Sequence, residues 1–217
     1  MDDPRYFGTY ARINAPTTDF NAALMGRDNM IGDIYDIDFV VENGTTTAWM
    51  RNRFGANVAC FDEDMSYKLQ ILQAQGRVTK ALLSFVAFTE ETDDEPRCYW
   101  GEAAIISYMD RYEEAFSAYI AKISERMGNA IRPTMDLSPA AIDKIIETNG
   151  TWQPKDTVPL PEGKGTKFAI TKSRRTIGDN LVEQGRQNNI GCYIFGYGAI
   201  IVFIVLIVLL IKALLGF

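Results

Sequence analysis

Histidine is absent from the 217 residues, which carry 22 basic and 28 acidic side chains. A chain without imidazole cannot build a Ser-His-Asp triad, a Cys-His dyad or a histidine-ligated zinc or haem site. The three cysteines are too few for a four-cysteine zinc site or a disulfide framework. Neither the P-loop motif nor the dinucleotide-binding glycine motif occurs. Most common hydrolase and metalloenzyme chemistries are therefore excluded.

A long uncharged segment lies near the carboxyl end of the chain. Residues 190–211 carry no charge, and residues 200–211 are all apolar. As an α-helix this segment would span about 33 Å, enough for a hydrocarbon core of about 30 Å. Its many β-branched residues favour a strand in water, but a lone strand leaves its backbone unsatisfied in lipid. The sequence therefore predicts a single transmembrane helix over residues 190–212, followed by a short tail at 213–217.

The residues that flank this segment predict its orientation. Tyr193 and Tyr197 belong at one interface of the bilayer, and Lys212 reaches the headgroups at the other. Basic residues cluster upstream of the span, and those expected to contact lipid headgroups are Lys172, Arg174 and Arg175. The positive-inside rule then predicts a cytoplasmic N-terminal domain. Because the first residues do not resemble a signal peptide, we expect a tail-anchored, single-pass membrane protein.

Two Asn-Gly-Thr sequences, at Asn43 and Asn149, favour the opposite topology. Both match the acceptor pattern for N-glycosylation. However, Asn-Gly is also the preferred dipeptide of a tight hairpin turn. We interpret both sequences as turns, and a lumenal or extracellular domain remains the alternative.

Charge divides the rest of the chain into two parts. Residues 1–150 contain 14 basic and 24 acidic side chains, whereas residues 151–189 contain 7 basic and 4 acidic ones. We expect an acidic domain over 1–148, a Pro/Gly linker over 149–165 and a basic juxtamembrane segment over 166–189. The negative charge of the domain disfavours nucleic-acid binding through its surface.

Polarity patterns predict an α+β fold whose N-terminal half is rich in strands. A β-hairpin is expected near 34–51. A helix is expected over 65–75, capped by Asp62 or Asp64. Apolar residues recur at spacings of three and four near 101–127, which predicts a long helix there.

Four further elements are expected from local signals. Residues 6–13 and 78–88 favour strands, and so does the short segment 166–171. Ser138 followed by Pro139 is typical of a helix start, because serine caps the first turn and proline suits its first position.

One pair of carboxylates is compatible with catalysis without histidine. Asp36 and Asp38 are two residues apart on a predicted strand, so their side chains share a face and could hold a divalent cation. The stretch 36–39 (DIDF) resembles the Asp-x-Asp strand of nucleotidyltransferases of the polymerase-β type. The resemblance implies Mg²⁺-dependent transfer, with two metal ions aligning a nucleophile and a triphosphate.

The resemblance is limited to these few residues. In that family a Gly-Ser turn precedes the strand, and here the upstream glycine at 26–27 is followed by arginine. Asp62 or Asp64 would have to supply the third carboxylate.

We therefore expect a membrane-tethered cytosolic α+β module that binds a protein partner or a second copy of itself. The first alternative is the metal-dependent nucleotidyltransferase described above. The second is a membrane effector activated by oligomerisation of its transmembrane helix, where Gly191 and Gly198 share a helix face.

Overall fold

A computed structural model describes residues 3–26, 28–89, 98–161 and 166–169. The elements along these residues are β1 (Tyr6–Asn14), α1 (Thr18–Leu24), β2 (Ile34–Glu42), β3 (Thr45–Arg51), β4 (Asn57–Phe61), α2 (Glu63–Ala74), β5 (Arg77–Thr89), β6 (Cys98–Met109), α3 (Glu113–Gly128), α4 (Pro139–Glu147) and β7 (Thr166–Ala169). The α+β class and the strand-rich N-terminal half predicted from the sequence are confirmed.

Six antiparallel strands close into a barrel in the order β2-β3-β4-β1-β6-β5. The ring closes where β2 meets β5, through the pairs Ile34↔Leu82, Tyr35↔Ala81 and Asp36↔Lys80. β7 pairs with the far end of β5 and extends the sheet outside the ring. Closure gives most strands a neighbour on both sides, which is how a barrel avoids free edges.

The ring consists of two three-stranded halves, β2-β3-β4 and β1-β6-β5, that meet at two seams. The β2–β5 seam has three residue pairs. The β1–β4 seam has only two, Ile13↔Phe61 and Asn14↔Cys60. Beyond these pairs the halves separate, and α2 packs between them with Leu69 and Leu72 in the interior core. The seams therefore determine where the barrel wall is open.

Two hydrophobic layers hold this arrangement together. Alternate strand residues fill the barrel interior, including Ile13, Tyr35, Met50, Phe61, Leu83 and Ile105. On the outer face of β1, β5 and β6, the buried side of α3 packs against the sheet through Phe116, Tyr119, Ile120 and Ile123. α4 completes this outer layer with Ile142 and Ile145.

Residues 149–161, assigned to a linker from the sequence, lie against the outer layer. Pro133 and Thr157 form an isolated β-bridge. Pro154 is buried, and Trp152 packs on the cluster beneath α3. These residues therefore contribute to the folded domain.

The long helix predicted near 101–127 is wrong over its first part. Residues 101–109 belong to β6, and the helix itself is Glu113–Gly128. β6 is buried on both faces, with Ala103 and Ile105 inside the barrel and Ile106 beneath α3. A strand buried on both faces loses its polar alternation, so its apolar run is indistinguishable from that of a buried helix.

Several local predictions are confirmed. The hairpin near 34–51 turns at Asn43 and Gly44, whose φ values of 51° and 82° fit a tight two-residue loop. Asp62 caps α2 by accepting a hydrogen bond from the Met65 amide at 2.8 Å. Ser138 caps α4 in the same way. No helix within the described ranges is long and apolar enough to cross a membrane, and the span predicted at 190–212 lies outside them.

Candidate functional site

Asp36 and Asp38 lie on the face of β2 that is turned away from the barrel interior. The Oδ1 atom of Asp36 is 2.6 Å from Nζ of Lys80. The carboxylate of Asp38 accepts hydrogen bonds from the Phe39 amide at 3.0 Å and from the Asn57 side chain at 3.4 Å. Both carboxylates therefore have partners within the protein.

Two cations border Asp36, since Arg51 is its cross-strand neighbour on β3 and Lys80 is its neighbour on β5. A divalent cation at Asp36 would compete with Lys80 for the carboxylate and would be repelled by both basic side chains. Asp62 is engaged at the start of α2. In the part of the chain that the structure describes, no group of three or more acidic or thiol side chains converges to hold a metal. Mg²⁺ binding at Asp36 and Asp38 stays a prediction.

The other predicted site residues lie outside the described residues. They are Tyr193, Tyr197 and Lys212 at the membrane interfaces, and Lys172, Arg174 and Arg175 at the lipid headgroups. Their roles stay predictions.

A cavity of about 470 Å³ borders the first part of β1, between this strand and α2. One wall is β1 at Phe7 and Gly8, and a second is α2 at Lys68. The third wall comes from residues 133–138, which cross the outer face of β1 and are called the strap below. The volume is within the range of about 300–1,000 Å³ that is usual for ligand sites.

The register of β1 against β6 determines which main-chain groups face this cavity. Arg5 accepts a hydrogen bond from the Met109 amide at 3.3 Å, and Ala15 donates one to Tyr99 at 3.2 Å. In an antiparallel ladder such pairs recur at every second residue. The odd-numbered residues of β1 therefore bond to β6.

The even-numbered residues of β1 direct their N–H and C=O groups to the β1–β4 seam. Asn14 pairs there with Cys60, at the point where the two strands still meet. Gly8, Tyr10 and Arg12 come earlier in β1, and none of them has a strand partner on that side among the described residues. The Thr9 hydroxyl donates a hydrogen bond to the Tyr10 carbonyl at 3.3 Å. This edge of β1 is therefore without a partner strand in the described part of the chain, and it borders the cavity at Gly8.

Tyrosine side chains of β1 hold the strap in place. The Tyr6 hydroxyl donates a hydrogen bond to the Met135 carbonyl at 3.0 Å, and the Tyr10 hydroxyl donates one to the Pro133 carbonyl at 2.7 Å. Burial raises the pKa of Tyr10 to about 12 and raises that of Tyr6 well above its ordinary value, so both hydroxyls stay protonated and keep donating. A Cβ atom at Gly8 would collide with the Met135 carbonyl oxygen, so the close approach of the strap requires glycine.

One cation faces the cavity without a counter-ion. The Lys68 ammonium lies 4.1 Å from the centre of the Phe7 ring, and no described residue forms an ion pair with it. The nearby carboxylate of Asp3 is bound to Arg5 at 2.7 Å. Asp136 lines the strap side. The cavity thus combines main-chain donors and acceptors, an aromatic ring and a cation.

A second cavity, of about 530 Å³, lies on the other side of the strap. Lys144, Trp152 and Lys155 line it, and none of its lining residues belongs to a strand. It has no unpaired main-chain edge, so we take the first cavity as the candidate functional site.

Sequence reasoning did not identify Gly8 or Lys68. A glycine inside a strand pattern often marks the close approach of another segment, and this signal was present in the stretch YFGTY. Lys68 has no such signal, because an exposed lysine on an amphipathic helix is ordinary.

Comparison of the chain with protein-family models, with curated proteins and with solved structures gave no match. Function is therefore inferred from the residues and their geometry.

Proposed function

We propose that the protein is a single-pass membrane protein whose folded domain binds a protein partner through the cavity at the β1–β4 seam. The observation that carries the proposal is the edge of β1 at Gly8 and Tyr10, which has no strand partner among the described residues and borders a cavity of about 470 Å³ at Gly8. Folded proteins usually cover or pair such an edge, because its N–H and C=O groups attract other strands. Here the strap and α2 flank the edge without pairing with it.

Membrane attachment is supported by the uncharged segment at 190–211 and by the basic residues that precede it. The acidic domain is repelled by anionic lipid, whereas the basic segment is attracted to it. The partner expected at the cavity is therefore cytoplasmic.

The binding proposal is tested by selecting from a displayed library of random heptapeptides on the full chain in lipid nanodiscs. We expect enriched peptides whose affinity falls about tenfold for Lys68→Glu, because charge reversal changes one wall of the cavity. Lys155→Glu is the matched control, since it reverses an exposed lysine in the second cavity. Absence of enriched peptides, or equal affinity for the wild-type chain and Lys68→Glu, would contradict the proposal.

Attachment is tested by alkaline extraction of membranes from cells that express the full chain or a chain without residues 190–217. The full chain should stay in the pellet, and the shortened chain should be released. Protease added to intact cells should leave the N-terminal domain uncut. A domain that is shaved from the cell surface would overturn the cytoplasmic orientation.

A further inference from the structure

The unpaired edge of β1 presents the repeat that another strand requires. Gly8 and Tyr10 direct their N–H and C=O groups to the same side, two residues apart. This spacing, about 6.6 Å, is the spacing at which an added strand places its own pairing groups. The Tyr10 carbonyl also accepts a hydrogen bond from the Thr9 hydroxyl at 3.3 Å, and that hydroxyl would share the carbonyl or rotate away when a strand pairs there. The backbone of the edge can keep its conformation.

The chain's own neighbouring strand turns away before it can use this edge. β4 ends at Phe61, and the next residue, Asp62, caps α2. A strand that continued in the direction of β4 would have paired with Arg12, Tyr10 and Gly8 in succession. Instead, the chain turns into α2, and the cavity of about 470 Å³ borders β1 at Phe7 and Gly8.

Charge restricts what the added strand can carry. Side chains of a strand alternate between its two faces, so one face of the guest meets α2 and the other meets the strap. On the α2 side, Lys68 has no ion-pair partner among the described residues. On the strap side, Asp136 would repel a carboxylate. A guest strand with a carboxylate on the α2 face only is therefore complementary.

We infer that the domain binds an extended segment of its partner as an added β-strand beside β1. The segment pairs its main chain with Gly8 and Tyr10, and it places one aspartate or glutamate side chain against Lys68. This inference rests on the proposed function, because it states what occupies the same cavity.

The test uses heptapeptides enriched on the full chain and measures amide hydrogen exchange of the chain in nanodiscs. Binding should slow exchange at Gly8 and Tyr10 about tenfold or more, because each amide gains a main-chain acceptor. The amides of Thr9 and Ala11 already bond to β6, so their exchange should not change. Slow exchange at Gly8 before any peptide is added would overturn the inference, because the edge would already be occupied.

N-methylation of the peptide tests the pairing register independently. A methyl group on alternate peptide amides should weaken binding about tenfold, because it removes a donor from the ladder. The same group on the intervening amides should have little effect. Equal losses at all positions would contradict strand pairing.

The proposed contact between the acidic side chain of the peptide and Lys68 is tested by reversing the charge on each partner. Glutamine in place of the peptide's acidic residue should weaken binding to the wild-type chain about tenfold, and lysine there should restore binding to Lys68→Glu. If peptides bind in a Lys68-dependent way but neither Gly8 nor Tyr10 gains protection, the binding function stands and strand addition is wrong. If no peptide is enriched, both proposals fail.

Discussion

The two seams of the barrel are closed to very different extents. At the β2–β5 seam, the three strand pairs continue into hydrogen bonds that join Gly32 and Asp33 to Leu83, and Lys80 binds Asp36 across the same seam. The remaining gap next to α2 measures only about 60 Å³. The β1–β4 seam has two strand pairs and borders a cavity of about 470 Å³.

The points at which the strands end account for the difference. β5 begins at Arg77, three residues before Lys80, so it extends beyond its last pair with β2, and Arg77 and Thr79 line the small gap. β4 has five residues and ends where Asp62 starts α2. A short strand followed directly by a helix cap therefore leaves its neighbour β1 without a partner. The comparison indicates that the opening results from where one strand stops.

The largest effect is expected from Leu69→Ala, which enlarges the gap at the closed seam. Leu69 is 1% exposed and lines the small cavity there. Loss of its side chain should lower the free energy of unfolding by about 3 kcal/mol, because the surrounding core relaxes only partly. Urea unfolding measures the change. Ile71→Ala, on the exposed side of the same helix, is the control and should cost far less; equal losses would contradict the packing of α2 between the seams.

Tyr6→Phe removes the hydroxyl that ties the strap to β1. The buried Met135 carbonyl loses its donor, so we expect a loss of about 1.5 kcal/mol in the free energy of unfolding. Amide exchange in residues 133–138 should also become faster. Tyr67→Phe removes an exposed hydroxyl and serves as the control. An unchanged unfolding curve for Tyr6→Phe would show that the strap does not depend on this bond.

Asp62→Ala tests the cap of α2, which is formed by the residue that directly follows β4. Its carboxylate satisfies the Met65 amide, and loss of such a cap costs about 1 kcal/mol. Thermal or urea unfolding measures this cost. Asp64→Ala changes the charge of the same turn and should have a smaller effect, because the capping bond is made by Asp62. A larger loss for Asp64→Ala would contradict this assignment.

The smallest effect is expected at Asp3, beside the open seam. Hydrogen bonds from Arg5 hold the pKa of the Asp3 carboxyl below its ordinary value of 3.8. The pair therefore contributes stability at neutral pH, and the contribution is lost as the pH falls through the lowered pKa. Urea unfolding of the wild-type chain and Asp3→Asn should differ at neutral pH and converge in acid. A difference that grows on acidification would contradict this sign.

Local features of the fold were predictable because neighbouring residues determine them. The turn at Asn43-Gly44 requires positive φ values that these residue types tolerate. The caps at Asp62 and Ser138 depend on one side chain and the amide three residues later. β6 differs from these features because it is buried on both faces. Its sequence is therefore an apolar run, and such a run does not distinguish a strand from a buried helix.

The candidate site could not be derived from the sequence for a related reason. The cavity exists because β4 ends while β1 continues, and the two strands are brought together only by the tertiary fold. The position of Lys68 opposite Phe7 also depends on how α2 enters the barrel. The carboxylate pair at Asp36 and Asp38 was visible in the sequence, but its neighbour Lys80 comes from a strand more than forty residues away.

The pairing of β1 with β6 has a consequence for the order of folding. Tyr6 pairs with Tyr108, so β1 cannot form its main strand pairing until about a hundred more residues have been synthesised. At about 5–20 residues per second, this delay lasts roughly 5–20 s. During this delay only the last two residues of β1 can pair with another strand, and that strand is β4. A nascent chain stalled before β6 would therefore expose β1 along most of both edges, and early chain termination should yield products that chaperones retain rather than a smaller folded domain.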